Sequence, residues 1–385
     1  MIRRRKKGWT GPPLAWLNLI HVKSRLIVAI LAICFTVALI FMQLGLFSAV
    51  LKSATLIYDN LNFDIVLISS KSLEATFTQP FSRQHLYQAQ GIKGIASAMP
   101  FYTSFMAWRN PETNQSRQIL VLSFNLRDKV LKIPEVYEYI TSLQHQDTVL
   151  INRLSRNNFG SQKLGLKTEL ADRKIQIVGS FTISNTLRAD GTVIMNDQNF
   201  IRFSTGRSLD DLSLGLITVE PNTNVNTTIN SLRQLLPRSI EVLSRNEAEK
   251  RDQKYFIIST FTGLVLSISA VAAFIVGIVI IFQILNVDVT EHLHEYATLK
   301  AIGYRNNYLF LVVLKQATLL SIIGFIPAIF IALLLYKLIY EVTKLPIFLT
   351  LDKVIIVFIL TLIMCCLSGI IALRKVLVED PANLF

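Results

Sequence analysis

The chain has 385 residues, of which 51% are apolar and only 17% charged, with a formal net charge of +13. That charged fraction lies below the roughly 25% of an ordinary globular domain, and Asp, Glu, Lys and Arg are absent from 26–51, 255–287, 316–336 and 354–373. Each run exceeds the roughly 18 apolar residues that mark a membrane-spanning candidate, which excludes intrinsic disorder, a wholly soluble enzyme and a disulfide-built mini-protein.

Residues 1–25 carry Arg3, Arg4, Arg5, Lys6, Lys7, Lys23 and Arg25 and no acid. A basic cluster directly before a span places that end in the cytoplasm. The same location speaks against nucleic acid as a partner, because the surplus charge is local to this end. Within the cluster's flank, 13–21 reads as a short interfacial helix with Leu14, Trp16 and Leu17 able to share an apolar face. The run 26–51 is longer than a signal-peptide core and reads as an uncleaved first span.

The polar stretch 52–254 holds 24 basic and 19 acidic residues and no cysteine, since Cys34, Cys365 and Cys366 all fall within spans. No disulfide framework or thiolate zinc site can form there. β-Branched and apolar runs predict strands at 63–68, 119–124, 148–151, 175–181, 192–195, 214–219 and 240–243. Helices are expected at 82–90, 197–203 and 226–235, the last stopping before Pro237. Interleaved strands and helices imply an α+β extracytoplasmic domain, with the Gly- and Ser-bearing 160–168 as a loop between two possible lobes.

The second charge-free run, 255–287, would reach about 50 Å as a helix, against about 30 Å of hydrocarbon. The expectation is one helix that leaves the membrane and continues through 246–254 as a stiff stalk. Ser269, Ala273 and Gly277 recur every fourth residue on it, a spacing that serves either packing within the chain or a dimer seam. Residues 288–308 form a cytoplasmic segment, 309–336 a third span that Pro327 should kink, 337–353 an external loop, 354–373 a fourth span and 374–385 a cytoplasmic tail. The fold class is thus an α-helical membrane protein of four transmembrane helices, both termini cytoplasmic, with a large α+β domain between helices 1 and 2.

Catalytic motifs are missing. Residues 160–168 approach a phosphate loop, but Leu166 stands where Gly must precede Lys167. His294-Glu295 opens a zinc-protease pattern that fails at Thr298, and His85 and His145 stand alone. No catalytic, metal or cofactor site is expected. The spans also lack the buried ionisable groups that ion-coupled carriers use, so energy must come from a partner.

The segment running Glu291, His292, Leu293, His294, Glu295, Tyr296, Ala297, Thr298, Leu299, Lys300, Ala301, Ile302, Gly303, Tyr304 reads as a short amphipathic helix ended by Gly303. It resembles the coupling segment of the MacB/FtsX superfamily of ABC-type permeases, as do the four-span layout and the closing Arg374-Lys375…Glu379-Asp380-Pro381-Ala382. The stretches at 13–19, 23–26 and 41–45 are similar to the cyanobacterial DevC-type permeases. That resemblance implies a non-catalytic inner-membrane subunit, acting as a homodimer, that exports a lipid or glycolipid-like substrate. ATP and Mg would be held by a separate ABC ATPase, since only 25 residues precede the first span. A periplasmic adaptor (membrane fusion protein) and a TolC-like outer-membrane channel would complete the path. In this reading Glu291, Glu295 and Lys300 make polar contacts with the ATPase, Tyr296, Leu299, Ile302 and Tyr304 pack into its groove, and Gly303 permits the turn. An FtsX-like signalling permease acting on a cell-wall hydrolase, or a lipoprotein-extracting permease, shares the same layout.

Overall fold

A computed structural model describes residues 23–292, 295, 298–299, 302–304 and 306–378. The N-terminal basic cluster through residue 22, the interfacial helix expected at 13–21, and residues 379–385 of the tail lie outside them.

In chain order the elements are α1 (Lys23–Asn60), β1 (Ile65–Ser69), β2 (Phe81–Ser82), α2 (Gln84–Gln90), β3 (Ile95–Arg109), β4 (Ser116–Phe124), α3 (Pro134–Glu138), α4 (Ile140–Leu143), β5 (Thr148–Asn152) and β6 (Lys167–Leu170). There follow β7 (Arg173–Phe181), β8 (Thr192–Asn196), α5 (Asp197–Phe203), β9 (Asp211–Leu212), β10 (Leu214–Val219), α6 (Val225–Leu235), β11 (Ile240–Ser244), α7 (Arg245–Ser259), α8 (Phe261–Glu291), α9 (Asn306–Thr343) and α10 (Leu351–Val378). Among the described residues, four stretches are long and apolar enough to cross a membrane: Leu26–Asn60, Phe261–Glu291, Phe310–Thr343 and Leu351–Ala372. The fold is therefore four apolar helices with a large α+β domain between the first and second.

The chain divides into two units, one holding the residues up to Phe47, Val265–Leu338 and those from Phe348, the other Ser48–Leu264 with Ile339–Ile347. In the first, Ile33, Val37 and Phe41 of α1 share a core with Ile281 and Leu285 of α8, Val313 and Ala317 of α9, and Met364 and Cys365 of α10. Phe325 bridges Phe41 and Phe358, with ring centroids 5.8 and 5.0 Å away. Two buried hydroxyls bond within the bundle: Thr361 donates to the Val357 carbonyl at 2.7 Å and Ser368 to that of Ile278 at 3.0 Å. Such pairing is what an apolar interior demands of its polar groups. α9 stays one helix across Pro327, whose missing N–H removes the bond that the Ile323 carbonyl would accept.

In the second unit, β1, β3, β10 and β11 form an all-antiparallel sheet in the order β11-β1-β10-β3. α2 connects β1 toward β3 and α6 connects β10 to β11, which is a split βαβ arrangement. Leu86, Ala89, Ile229 and Leu232 of those helices join Ile65, Leu67 and Val242 in one core. On the other face Val66, Ile68 and Leu216 pack with Ile57, Tyr58 and Ala248 from α1 and α7. Covering both faces explains why every residue of β1 is buried.

β3 then runs on into a second set of strands. β4, β8, β5, β7 and β6 follow it in order, and β6 pairs back onto β3 at Trp108–Leu170 and Arg109–Glu169, so six strands close into a ring. Trp108 is wholly buried and donates its indole N–H to the Phe159 carbonyl at 3.0 Å.

Several expectations are corrected. The second-span helix and its stalk are not one helix, because the chain leaves helical geometry at Thr260 (φ −102°, ψ 142°). The first-span helix extends well past residue 51, to Asn60, and α9 runs to Thr343, so only 344–350 of the expected external loop 337–353 is non-helical. The loop 160–168 does not separate lobes. It links the turn at Asn157–Phe159 to β6, whose first residues it includes, and the domain stays within one compact unit.

Candidate functional site

α8 reaches its end with Leu285 and Val289 buried and Thr290 donating to the Asn286 carbonyl at 2.6 Å. After it, the Ile302 N–H donates to the Thr298 carbonyl at 3.0 Å and the Tyr304 N–H to that of Leu299 at 3.1 Å. Gly303 sits between them at φ +99°. A bond spanning six residues around a left-handed glycine is the Schellman ending of a helical turn. No atom lies within 4 Å of where a Gly303 Cβ would be, so only the backbone conformation asks for glycine here.

This turn sets the direction of each neighbouring side chain. Ile302 is 71% exposed and Tyr304 is also exposed. Tyr304 stacks on Tyr308 at the start of α9, centroids 4.7 Å apart. Glu295 is exposed. The result is an outward-facing edge of one aliphatic and two aromatic side chains. Glu291 closes α8. Tyr296 and Lys300 lie outside the described residues.

Leu299 is oriented differently from its exposed neighbours. It is half-buried against the core of the helical unit rather than presented outward, because one turn before Gly303 the helix turns that face toward its own bundle. Tyr308 was not foreseen as part of the edge. Its signal was its spacing of four from Tyr304, read across the loop-to-helix boundary.

Gly277 is buried, and a Cβ there would press on Met364 Sδ at 2.5 Å and Thr36 Cγ2 at 2.6 Å. Its small size is therefore used within the chain, and that position is closed to a dimer seam. Ser269 and Ala273 are half-buried.

The other end of the second helix carries an ordered joint. Thr260 accepts a hydrogen bond from the Gly263 N–H at 3.0 Å and donates to the Phe256 carbonyl at 2.6 Å. A Cβ on Gly263 would overlap that same carbonyl oxygen. α7 begins with a full capping box, Ser244 with Glu247. Arg245 donates to the carbonyls of Tyr58, Leu61 (2.8 Å) and Phe63 (3.1 Å), and Arg251 to Glu241 at 2.6 Å, Asp252 at 3.1 Å and the Ser72 carbonyl at 2.5 Å. Asp252 is fully buried and accepts the Ala75 N–H at 2.9 Å. Burial pushes its carboxyl up to about 6, against the opposing pull of the Ala75 N–H and Arg251. α7 is thus tied by charged side chains to the end of α1 and to the loop after β1.

Among the described residues, no group of three or more His, Cys, Asp or Glu side chains could hold a metal ion.

Residues 255–381 match the family of the FtsX-like permease C-terminal domain. No curated protein matches the chain. Among solved structures, the chain is similar to the periplasmic region of MacB from Actinobacillus actinomycetemcomitans, at 10% identity and a TM-score of 0.37, over 50% of this chain and 94% of that one. It is also similar to the extracellular domain of the noncanonic ABC-type transporter YknZ from Gram-positive bacteria (14% identity, TM-score 0.34, 47% and 99% coverage). A domain of a putative permease protein from Porphyromonas gingivalis gives 15% identity, a TM-score of 0.31, and coverage of 48% and 89%.

Proposed function

We propose that this chain is the membrane subunit of an ABC-type exporter that transmits force from a separate ATPase to its extracytoplasmic domain. The observation that carries the reading is the exposed Ile302–Tyr304–Tyr308 edge on the Gly303 turn, within the region that matches the FtsX-like permease domain. An apolar, partly aromatic edge with few charges is what a docking contact uses at its centre. ATP-driven closure of the ATPase would move this edge, and α8 would carry the movement toward the Thr260 joint and α7. The absence of charged residues from the four runs fits a machine that couples to no ion gradient.

The finer reading follows the DevC-type resemblance: a bacterial, in particular cyanobacterial, inner-membrane homodimer. It would pass a lipid or glycolipid-like substrate from the outer leaflet through a periplasmic adaptor to a TolC-like channel. In this assembly ATP and Mg belong to the ATPase, and this chain is non-catalytic.

The test is co-purification. The tagged full chain, extracted from its native membrane, should bring down ATP hydrolysis that disappears when the accompanying ATPase is stripped away. Gly303→Val forces a β-branched residue into left-handed geometry at a local cost of about 1–2 kcal/mol. Glu295→Lys reverses an exposed charge in the segment that leads to the edge. Each should lower the co-purified activity by about tenfold or more, the equivalent of about 1.4 kcal/mol of binding, with membrane insertion unchanged. Wild-type recovery of the ATPase by both variants would contradict the assignment.

A further inference from the structure

Three helices pass from charged to charge-free sequence at one end of the extracytoplasmic unit. On α1 the first charge beyond the apolar run is Lys52, and on α7 the last charge before the second run is Lys254. Ser53, Ala54 and Phe256, next to those marks, line one shallow cleft together with Glu74, Thr76, Leu187 and Arg188. Lys344, the first residue after α9, accepts a hydrogen bond at its carbonyl from the Asn185 N–H at 3.3 Å. The loops 70–80 and 182–191 are therefore held beside Ser53 and Ala54 of α1, Phe256 of α7 and Lys344 just after α9. Glu74, 3% exposed, locks the two loops together through Arg188 at 2.7 Å.

Both loops expose large apolar side chains: Leu73 at 44%, Phe77 at 52% and Leu187 at 39%. Lys71 and Lys254 are exposed beside them. Apolar tips among cations, next to the ends of apolar runs, are the composition of a surface seated at the headgroup boundary. We propose that loops 70–80 and 182–191 form a lipid-contacting face of the extracytoplasmic domain. Leu73, Phe77 and Leu187 enter the outer leaflet, and Lys71 and Lys254 meet phospholipid phosphates. The inference rests on the membrane-spanning reading of the helices, and it adds the place where an outer-leaflet substrate first meets this domain.

The sheet supplies an internal control. β1 runs from Ile65 to Ser69, about 13 Å at 3.3 Å per residue. Loop 70–80 leaves its Ser69 end, whereas Val219 donates its N–H to Asp64 at the opposite end. Glu220, exposed and next to Val219, thus lies away from the proposed face.

The experiment uses the full chain in phosphatidylcholine–phosphatidylglycerol nanodiscs, with Cys34, Cys365 and Cys366 replaced by Ala. An environment-sensitive nitrobenzoxadiazole probe is attached to F77C, L187C, E220C or I268C in turn. Lipids carrying a doxyl group near the headgroup should quench the probes at 77 and 187 about twofold or more beyond that at 220. The probe at 268, within the second span, should also be quenched by lipid. Equal quenching at 77, 187 and 220 with strong quenching at 268 overturns the lipid face and leaves the spans standing. Absence of quenching at 268 overturns the spanning reading and the face with it. Shielding of positions 77 and 187 from aqueous iodide without lipid quenching means that protein covers them, and also refutes the proposal.

Discussion

Asp252 shows how one residue ties the fold to pH. Its folded pKa of about 6 lies above the ordinary carboxylate value because burial penalises the charge. The native state therefore binds the proton more tightly than the unfolded chain does. The resulting stabilisation is complete below about pH 4 and is lost as pH rises through about 6. The unfolding midpoint of the purified chain should accordingly rise as pH falls from about 7 toward 5, and Asp252→Asn should flatten that dependence. An unchanged pH slope in the variant would place the titration elsewhere. Residues of this kind were not legible in sequence, since nothing in the run 246–254 distinguishes Asp252 from the other charged residues around it. Gly303 was legible, because a glycine closing an amphipathic run has a backbone reason to be there. The inward turn of Leu299 was not, since facing depends on where the bundle lies.

Elements were readable where one face or both were strongly apolar. The strand expected at 214–219 and the helix expected at 197–203 coincide with β10 and α5. β3, the longest strand, escaped notice because after Ile95 it continues with Ala, Ser and Ala and contains Pro100, a residue that argues against a central strand. The structure accommodates it: Pro100 pairs with Gly215 of β10, one residue before the β4 ladder begins at Phe101. The break between α7 and α8 was hidden for a different reason. Thr260 and Gly263 sit in an apolar stretch whose hydropathy continues without interruption, and the break is made by a hydroxyl and a missing Cβ rather than by polarity. Gly263→Ala should therefore disrupt the joint at a cost of about 1–3 kcal/mol, the range for locally strained backbone. Amide exchange at Leu264, which donates to the Thr260 carbonyl at 3.1 Å, should speed up. Unaltered protection there would mean that the joint does not depend on glycine.

For the whole molecule, the four apolar helices and the α+β class of the domain followed from charge-free runs and interleaved strand and helix patterns. The closure of six strands into a ring did not follow, because it depends on β3 meeting β6 across some sixty residues of chain, a pairing no local pattern encodes. The central claim is that this domain and the Gly303 turn lie on opposite sides of one membrane, so that force generated on one side can be used on the other. It is tested most directly by impermeant thiol labelling of intact cells with permeabilised outer membranes. Cysteines placed at Asn114 and Asn224, both exposed in the domain, should label, and a cysteine at His294 should label only after the inner membrane is broken. Labelling at 294 in intact cells, or protection of 114 and 224, would contradict the account.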